Sequence, residues 1–130
     1  MAQRTNSRLQ EFRHILVMMR RLVGEDLRHL RQDIQQFGQL RHDASDAVDE
    51  AQDMESIETL TALIEQNNVR LRGITHAIER VDHGTYGVCI DCTGAIADKR
   101  LIANPLATRC RDCQESVESV HQQARPSVYR

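Results

Sequence analysis

Apolar side chains recur along the first forty residues in steps of three and four. They are Leu9, Phe12, Leu16, Met19, Val23, Leu27, Leu30, Ile34, Phe37 and Leu40. That spacing follows the turn of an α-helix and leaves one narrow apolar stripe on a polar surface, the seam of a coiled coil. Ser7 to Gln10 has the form of a capping box at its start, and the polar residues 1–6 before it are expected to fray. Gly24 and Gly38 each cost about 1 kcal/mol against alanine inside a helix, so Gly38 is read as the approach to its end.

A second stripe runs through Ile57, Leu60, Ile64, Asn67, Leu71, Ile74, Ile78 and Val81, alternating threes and fours without a break. Asn67 is the one polar residue on it. Such a residue is expected to fix pairing register at some cost in stability. Between the stripes, His42 to Asp53 is polar and acidic, and Asp43, Ser45 and Asp46 are good helix N-caps. Two helices with matching seams and a short polar link predict an antiparallel hairpin over residues 7–83, with its tip near 42–53. Each arm would be roughly 45–50 Å long at about 1.5 Å per residue. Asp82-His83-Gly84 ends the second helix, with Gly84 in the position after the cap.

Beyond Gly84 the periodicity stops. Residues 84–124 read as a small module with short strands or turns, interrupted at Asn104-Pro105, where a helix cannot continue. A last helix is expected from Cys113 to about Gln123, with Val117, Val120 and Ala124 on its inner face. Residues 125–130, with Pro126, read as a tail. The fold class is mainly α: a long antiparallel coiled-coil hairpin, then a small four-cysteine module and a C-terminal helix.

Composition supports a narrow seam over a wide core. The aromatic residues are Phe12, Phe37, Tyr86 and Tyr129, with no tryptophan. No apolar stretch approaches the roughly 20 residues needed to cross a bilayer, so no membrane is expected. The net charge of −2 hides an uneven distribution. Residues 1–41 sum to +4, residues 42–69 to −8 with no Lys or Arg, and residues 70–130 to +2. A chain built to grip phosphates would not concentrate acids this way.

The chemistry lies in Cys89-Ile90-Asp91-Cys92 and Cys110-Arg111-Asp112-Cys113, two pairs separated by seventeen residues. Two residues between cysteines let both sulfurs turn toward one point, and two such knuckles supply the tetrahedron of a closed zinc site. Cys89, Cys92, Cys110 and Cys113 are therefore the expected ligands of one structural Zn2+. Two disulfides are the alternative of small secreted domains, but no secretory signal is visible. A redox pair would need a neighbouring βαβ pattern, which is also not visible. A reducing cytoplasm and a bound metal fit best. A closed site has no open position for water, and no nucleophile stands beside a base, so the chain is not expected to be an enzyme. His14, His29, His42, His76 and His83 form no set, and His83 is read as an ordinary surface histidine although it lies near Cys89.

The stretch Asp82-His-Gly84-Thr-Tyr86-Gly87-Val-Cys89-x-x-Cys92, then Ile96, Arg100-Leu101, Ala103, Pro105 and Cys110-x-x-Cys113, strongly resembles the signature of the DksA/TraR zinc-finger family. The order of parts agrees, since a long antiparallel coiled coil precedes the finger in DksA-like members. Asp46-Ala-Val-Asp49-Glu-Ala51 resembles that family's coiled-coil tip motif, which makes Asp46, Asp49 and Ala51 the expected tip residues. The resemblance implies a transcription regulator that binds bacterial RNA polymerase and makes no sequence-specific contact with nucleic acid. Its coiled coil would enter the secondary channel and bring the tip acids near the catalytic centre, altering the lifetime of promoter complexes. A monomer is expected.

Two departures bear on that implication. Thr93 stands where the family has glycine, with Gly94 shifted by one. Gly73, Asn104 and Gln114 occupy the positions taken as those of basic residues that contact guanosine tetraphosphate. An alarmone tetraphosphate needs fixed positive charge and bidentate donors, so dependence on it is not expected. The alternative function is a DNA-binding zinc-finger regulator. Its candidate surface, Lys99, Arg100, Arg109 and Arg111, is weakened by Asp91, Asp98 and Asp112.

Overall fold

The computed structural model describes residues 4–40 and 47–124. Four helices follow in order: α1 (Asn6–Leu40), α2 (Ala47–Asp82), α3 (Asp98–Ala103) and α4 (Arg111–Ala124). Among the described residues the only β-pairing is one isolated antiparallel bridge, Val88 with Ala95. The chain divides into two compact units, Ile15–His76, and Met1–His14 with Ala77–Arg130.

The unit Ile15–His76 is the coiled-coil hairpin. One groove is lined by Glu25, Asp26, His29 and Leu30 of α1 and by Leu63 and Asn67 of α2. Another is lined by Phe37 of α1 and by Gln52, Glu55, Ser56, Thr59 and Leu60 of α2. Numbers rise along α1 as they fall along α2, so the helices are antiparallel. Every described seam position in this unit is buried or half-buried. Leu16 and Ile74 are wholly buried, whereas Ile34, Phe37, Ile57 and Leu60 are only half-buried. Two helices alone can cover a stripe but cannot enclose it, so the seam stays partly wet. The neighbouring stripe of Ile15, Met18 and Leu22 is exposed.

Asn67 is half-buried and its side-chain amide donates to the Leu63 carbonyl of its own helix at 3.0 Å. The hydrogen bond is local, so it offsets the cost of burial without itself selecting a partner position on α1. Thr59, Thr61 and Thr75 likewise donate to the carbonyl four residues back, which satisfies hydroxyls that would otherwise compete with the helix.

In the other unit the start of α1 and the end of α2 join the finger around one core. Phe12, Ala77, Ile78, Val81, Tyr86, Ile96, Leu101 and Ala107 are buried there. This is why the compact unit holding the finger takes in turns of both long helices. The start of α1 differs from the expected capping box. Thr5 is the N-cap: its Oγ1 accepts from the Arg8 N–H at 3.3 Å and its carbonyl from the Leu9 N–H at 3.1 Å. Threonine caps by the same means as serine, so the cap lies two residues before the expected Ser7. At the end of α2, Gly84 has φ of +75°. The Thr85 N–H reaches the Arg80 carbonyl at 2.8 Å and the Gly84 N–H reaches Val81 at 3.2 Å. That paired closure is the Schellman motif, and it favours glycine at the left-handed position.

α3 stops one residue short of Asn104-Pro105, as the proline requires. α4 begins at Arg111, two residues before the expected Cys113, and its packing does not follow the expected inner face. Val117 is half-buried, while Val120 is 65% exposed. The side chain of Ala124 lies outside the described residues. The helix has too few neighbours to cover a full stripe.

Replacing Leu16 with alanine is expected to cost about 3–5 kcal/mol, because it opens a cavity in the fully buried part of the seam. Leu22 is 56% exposed on the adjacent face, and the same change there is expected to stay within about 0.5 kcal/mol. Urea unfolding followed by circular dichroism measures both; equal losses would show that the seam does not carry the hairpin.

Candidate metal centre

The four cysteines are delivered by two knuckles held in different ways. The first is a tight loop closed by the Val88–Ala95 bridge. Its Cys89 N–H donates to the Gly94 carbonyl at 2.8 Å, and the Thr93 N–H donates to the Cys89 carbonyl at 3.0 Å. Thr93 has φ of +60°, a costly conformation for a β-branched residue. Its hydroxyl donates to the Cys92 carbonyl at 2.6 Å. The departure from glycine therefore falls where the turn needs a left-handed residue, and the hydroxyl contact accompanies it. The second knuckle is the entry to α4, where the Gln114 N–H donates to the Cys110 carbonyl at 3.0 Å. The Ile90 N–H donates to the Thr108 carbonyl at 3.0 Å and ties the two knuckles together.

The sulfurs of Cys89, Cys92, Cys110 and Cys113 all lie within 4.8 Å of one another. Zn–S bonds of about 2.3 Å in a tetrahedron place sulfurs about 3.8 Å apart. The Cys92 and Cys110 sulfurs are 3.8 Å apart. A disulfide needs about 2.05 Å, and all four cysteines are free thiols. The arrangement thus fits the metal and not two disulfides. The surroundings of the thiols agree with this chemistry. Backbone N–H groups of Cys92 and Cys110 hold the Cys89 thiol down to about 6, while hydrogen bonds with Cys110 and Cys89 push Cys113 up to about 12. Four adjacent thiolates repel one another, and a divalent cation removes that conflict. The chain carries one structural zinc, which crosslinks the two knuckles.

The layer behind the knuckles was only partly legible in the sequence. Tyr86 is buried, and its ring meets Phe12 of α1 with centroids 5.5 Å apart. Its hydroxyl donates to the Pro105 carbonyl at 2.8 Å. Burial pushes this phenol up to about 12, so it remains a donor. Arg8 lies over the Phe12 ring at 5.1 Å. Arg100 donates to the Arg109 carbonyl at 3.0 Å, bracing the approach to the second knuckle. Arg4, in the stretch expected to fray, donates to the Asp98 carboxylate at 2.7 Å and to the Gly87 carbonyl at 3.1 Å. No periodic signal marks Arg4, since its partners lie 83 and 94 positions away. The Arg4 and Arg8 guanidiniums hold the Asp98 carboxyl below its usual range, and Arg13 does the same for Asp82.

The expected tip residues belong to the other compact unit or lie outside the described residues. Asp46 lies outside the described residues. Asp49 is in the first turn of α2, its side chain outside the description, and Ala51 is exposed on the same helix. His83 is also apart from the cluster, its Nδ1 lying 2.7 Å from the Glu79 carbonyl.

Replacing Cys110 with serine is expected to release the metal and unfold the finger while the hairpin stays helical. Structural zinc contributes roughly 10–16 kcal/mol to small modules that depend on it. Metal content by atomic spectroscopy, with thermal melting, measures the effect. Stoichiometric zinc at native melting temperature would contradict the four-sulfur site.

Residues 84–119 match the prokaryotic dksA/traR C4-type zinc finger. An uncharacterized protein of Aquifex aeolicus (strain VF5) is 44% identical over 48 residues, which are 37% of this chain and 33% of that protein. The match therefore spans about a third of the relative's length. The structure of transcription factor DksA2 from Pseudomonas aeruginosa superposes with a TM-score of 0.82 at 25% identity, covering 89% of this chain and 87% of that one. The RNA polymerase binding protein and transcriptional regulator Dks from Chlamydia trachomatis L2 (LGV434) aligns at 22% identity over 73% of this chain and 90% of its own, with a TM-score of 0.36. Residues 84–119 thus carry a zinc finger of the DksA/TraR C4 type, and the chain is similar in fold to DksA2 over 89% of its length.

Proposed function

We propose that this chain is a transcription regulator that binds bacterial RNA polymerase through its secondary channel. One observation carries the reading: the fold of DksA2, a transcription factor, extends over 89% of this chain at a TM-score of 0.82. A coiled-coil hairpin is a rigid means of delivering a few side chains into a narrow channel. The tip of this one combines Asp46 and Asp49 with an acidic flank that holds no Lys or Arg from residue 42 to residue 69. Near a catalytic centre those carboxylates would compete for basic groups or affect a bound metal. The effect proposed is a change in promoter-complex lifetime.

The alternative of a DNA-binding finger has less support. Arg109 pairs with Asp91 at 2.7 Å and Arg111 with Glu115 at 3.1 Å. Arg100 is occupied by the Arg109 carbonyl. Three of the four cations on that candidate surface are thus already engaged within the chain. A gel shift that requires polymerase is the expected result, and one obtained with DNA alone would favour the alternative.

Asp46 and Asp49 are expected to be needed for the transcriptional effect but not for folding or docking. Losing a helix-end acid costs about 0.3–1 kcal/mol through the dipole, which a long hairpin absorbs. The double change Asp46→Asn and Asp49→Asn keeps size and capping ability while removing charge. Near-native melting and polymerase affinity reduced by no more than about tenfold (about 1.4 kcal/mol) are expected, with loss of the effect in transcription in vitro. Wild-type output would reduce the acids to capping residues.

Activity is expected to be independent of guanosine tetraphosphate. Gly73 carries no side chain, Asn104 Oδ1 accepts the Leu106 N–H, and Gln114 donates to Glu118 at 3.0 Å. None of the three supplies positive charge. Transcription from a stringently controlled promoter, with and without the nucleotide, is the measurement. Potentiation that depends on this chain would refute the assignment of those positions.

A further inference from the structure

Arg4 makes contacts that its place in the sequence does not suggest. One guanidinium reaches three acceptors: Nε donates to Asp98 Oδ1, Nη1 to the Gly87 carbonyl and Nη2 to the Ile96 carbonyl. The side chain is only 13% exposed. Gly87 and Ile96 are themselves paired, the Ile96 N–H donating to the Gly87 carbonyl at 2.8 Å. They lie just outside the Val88–Ala95 bridge that closes the loop bearing Cys89 and Cys92. Asp98 opens α3 and also accepts from Arg8 Nε at 3.3 Å. The rigid fork of a guanidinium suits such a set of acceptors, and an ammonium does not. Gly87 completes the fit. Its φ is +77°, and a Cβ there would collide with the Arg4 guanidinium.

We propose that Arg4 is a positioning residue for the zinc centre: it clamps the open end of the first-knuckle hairpin to α3 and so slows the loss of metal from the four thiolates. The clamp touches backbone on both sides of the loop, so it acts on where Cys89 and Cys92 are held. Partners that orient metal ligands from behind are commonly worth about 10–100-fold in metal affinity.

The test is zinc release from the full, metal-loaded chain into excess chromogenic chelator, with far-ultraviolet circular dichroism confirming that each protein starts folded. R4A is expected to release zinc about 10–100-fold faster than the unchanged chain. R4K keeps the charge without the fork and should fall between them. R21A removes an exposed pair with Glu25 in the other compact unit and should release at the original rate. G87A places a Cβ against the guanidinium and should also accelerate release, but by less when Arg4 is already alanine. If R4A is unfolded at the start, R4K carries the test. An R4A or R4K rate indistinguishable from the unchanged chain would overturn the clamp. So would R4A and G87A effects that multiply as independent changes, or a shift in melting with no change in release.

Discussion

Four sulfurs from two distant pairs have to meet within bonding reach of a single ion, and the geometry of the finger depends on that requirement. Between the pairs the chain has few large apolar residues, and only Ile96, Leu101 and Ala107 are buried there. So little apolar burial cannot offset the entropy of ordering some thirty residues. The metal supplies the missing free energy, and the backbone arranges for it to be bound. Tight turns, a left-handed Thr93 and N–H groups aimed at the first knuckle hold the cysteines where a tetrahedron of thiolates closes.

The hairpin is organised by a different constraint. Two helices in contact can exclude water from only one stripe on each. The seam is accordingly dry at Leu16 and Ile74 and half-wet at Ile34, Phe37, Ile57 and Leu60. Where the ends of the helices meet the finger, a third element is present. There Phe12, Ile78 and Val81 are buried, the Phe12 ring meets Tyr86, and the Tyr86 hydroxyl finds a carbonyl to bond. The aromatic residues are few, and two of them are spent at this junction. The finger therefore does more than bind metal: it supplies the apolar surface that buries the base of the hairpin.

Much of this was legible in advance. Strict threes and fours mark both arms, since a helical face repeats locally and needs no knowledge of the partner. The Gly84 closure was readable because only a left-handed residue ends a helix in that way. Cysteine spacing identified the metal because zinc chemistry tolerates few arrangements. Other features were misread because several residues met the same local rule. Thr5 and Ser7 are both acceptable caps, and the structure uses Thr5. Val117 and Val120 both fit an inward face, and only Val117 is half-buried.

By itself the sequence determined the helical arms, their polar link, the four-thiolate centre and the family to which the finger belongs. Each rests on residues near one another in the chain or on a spacing that chemistry restricts. Tertiary structure alone decided the contacts of Arg4 with Gly87, Ile96 and Asp98, of Arg13 with Asp82, and of Tyr86 with Phe12 and Pro105. An arginine among polar residues looks the same whether it faces water or three acceptors over eighty positions away. Its role follows from which backbone carbonyls the folded chain leaves within reach, and no local pattern records that.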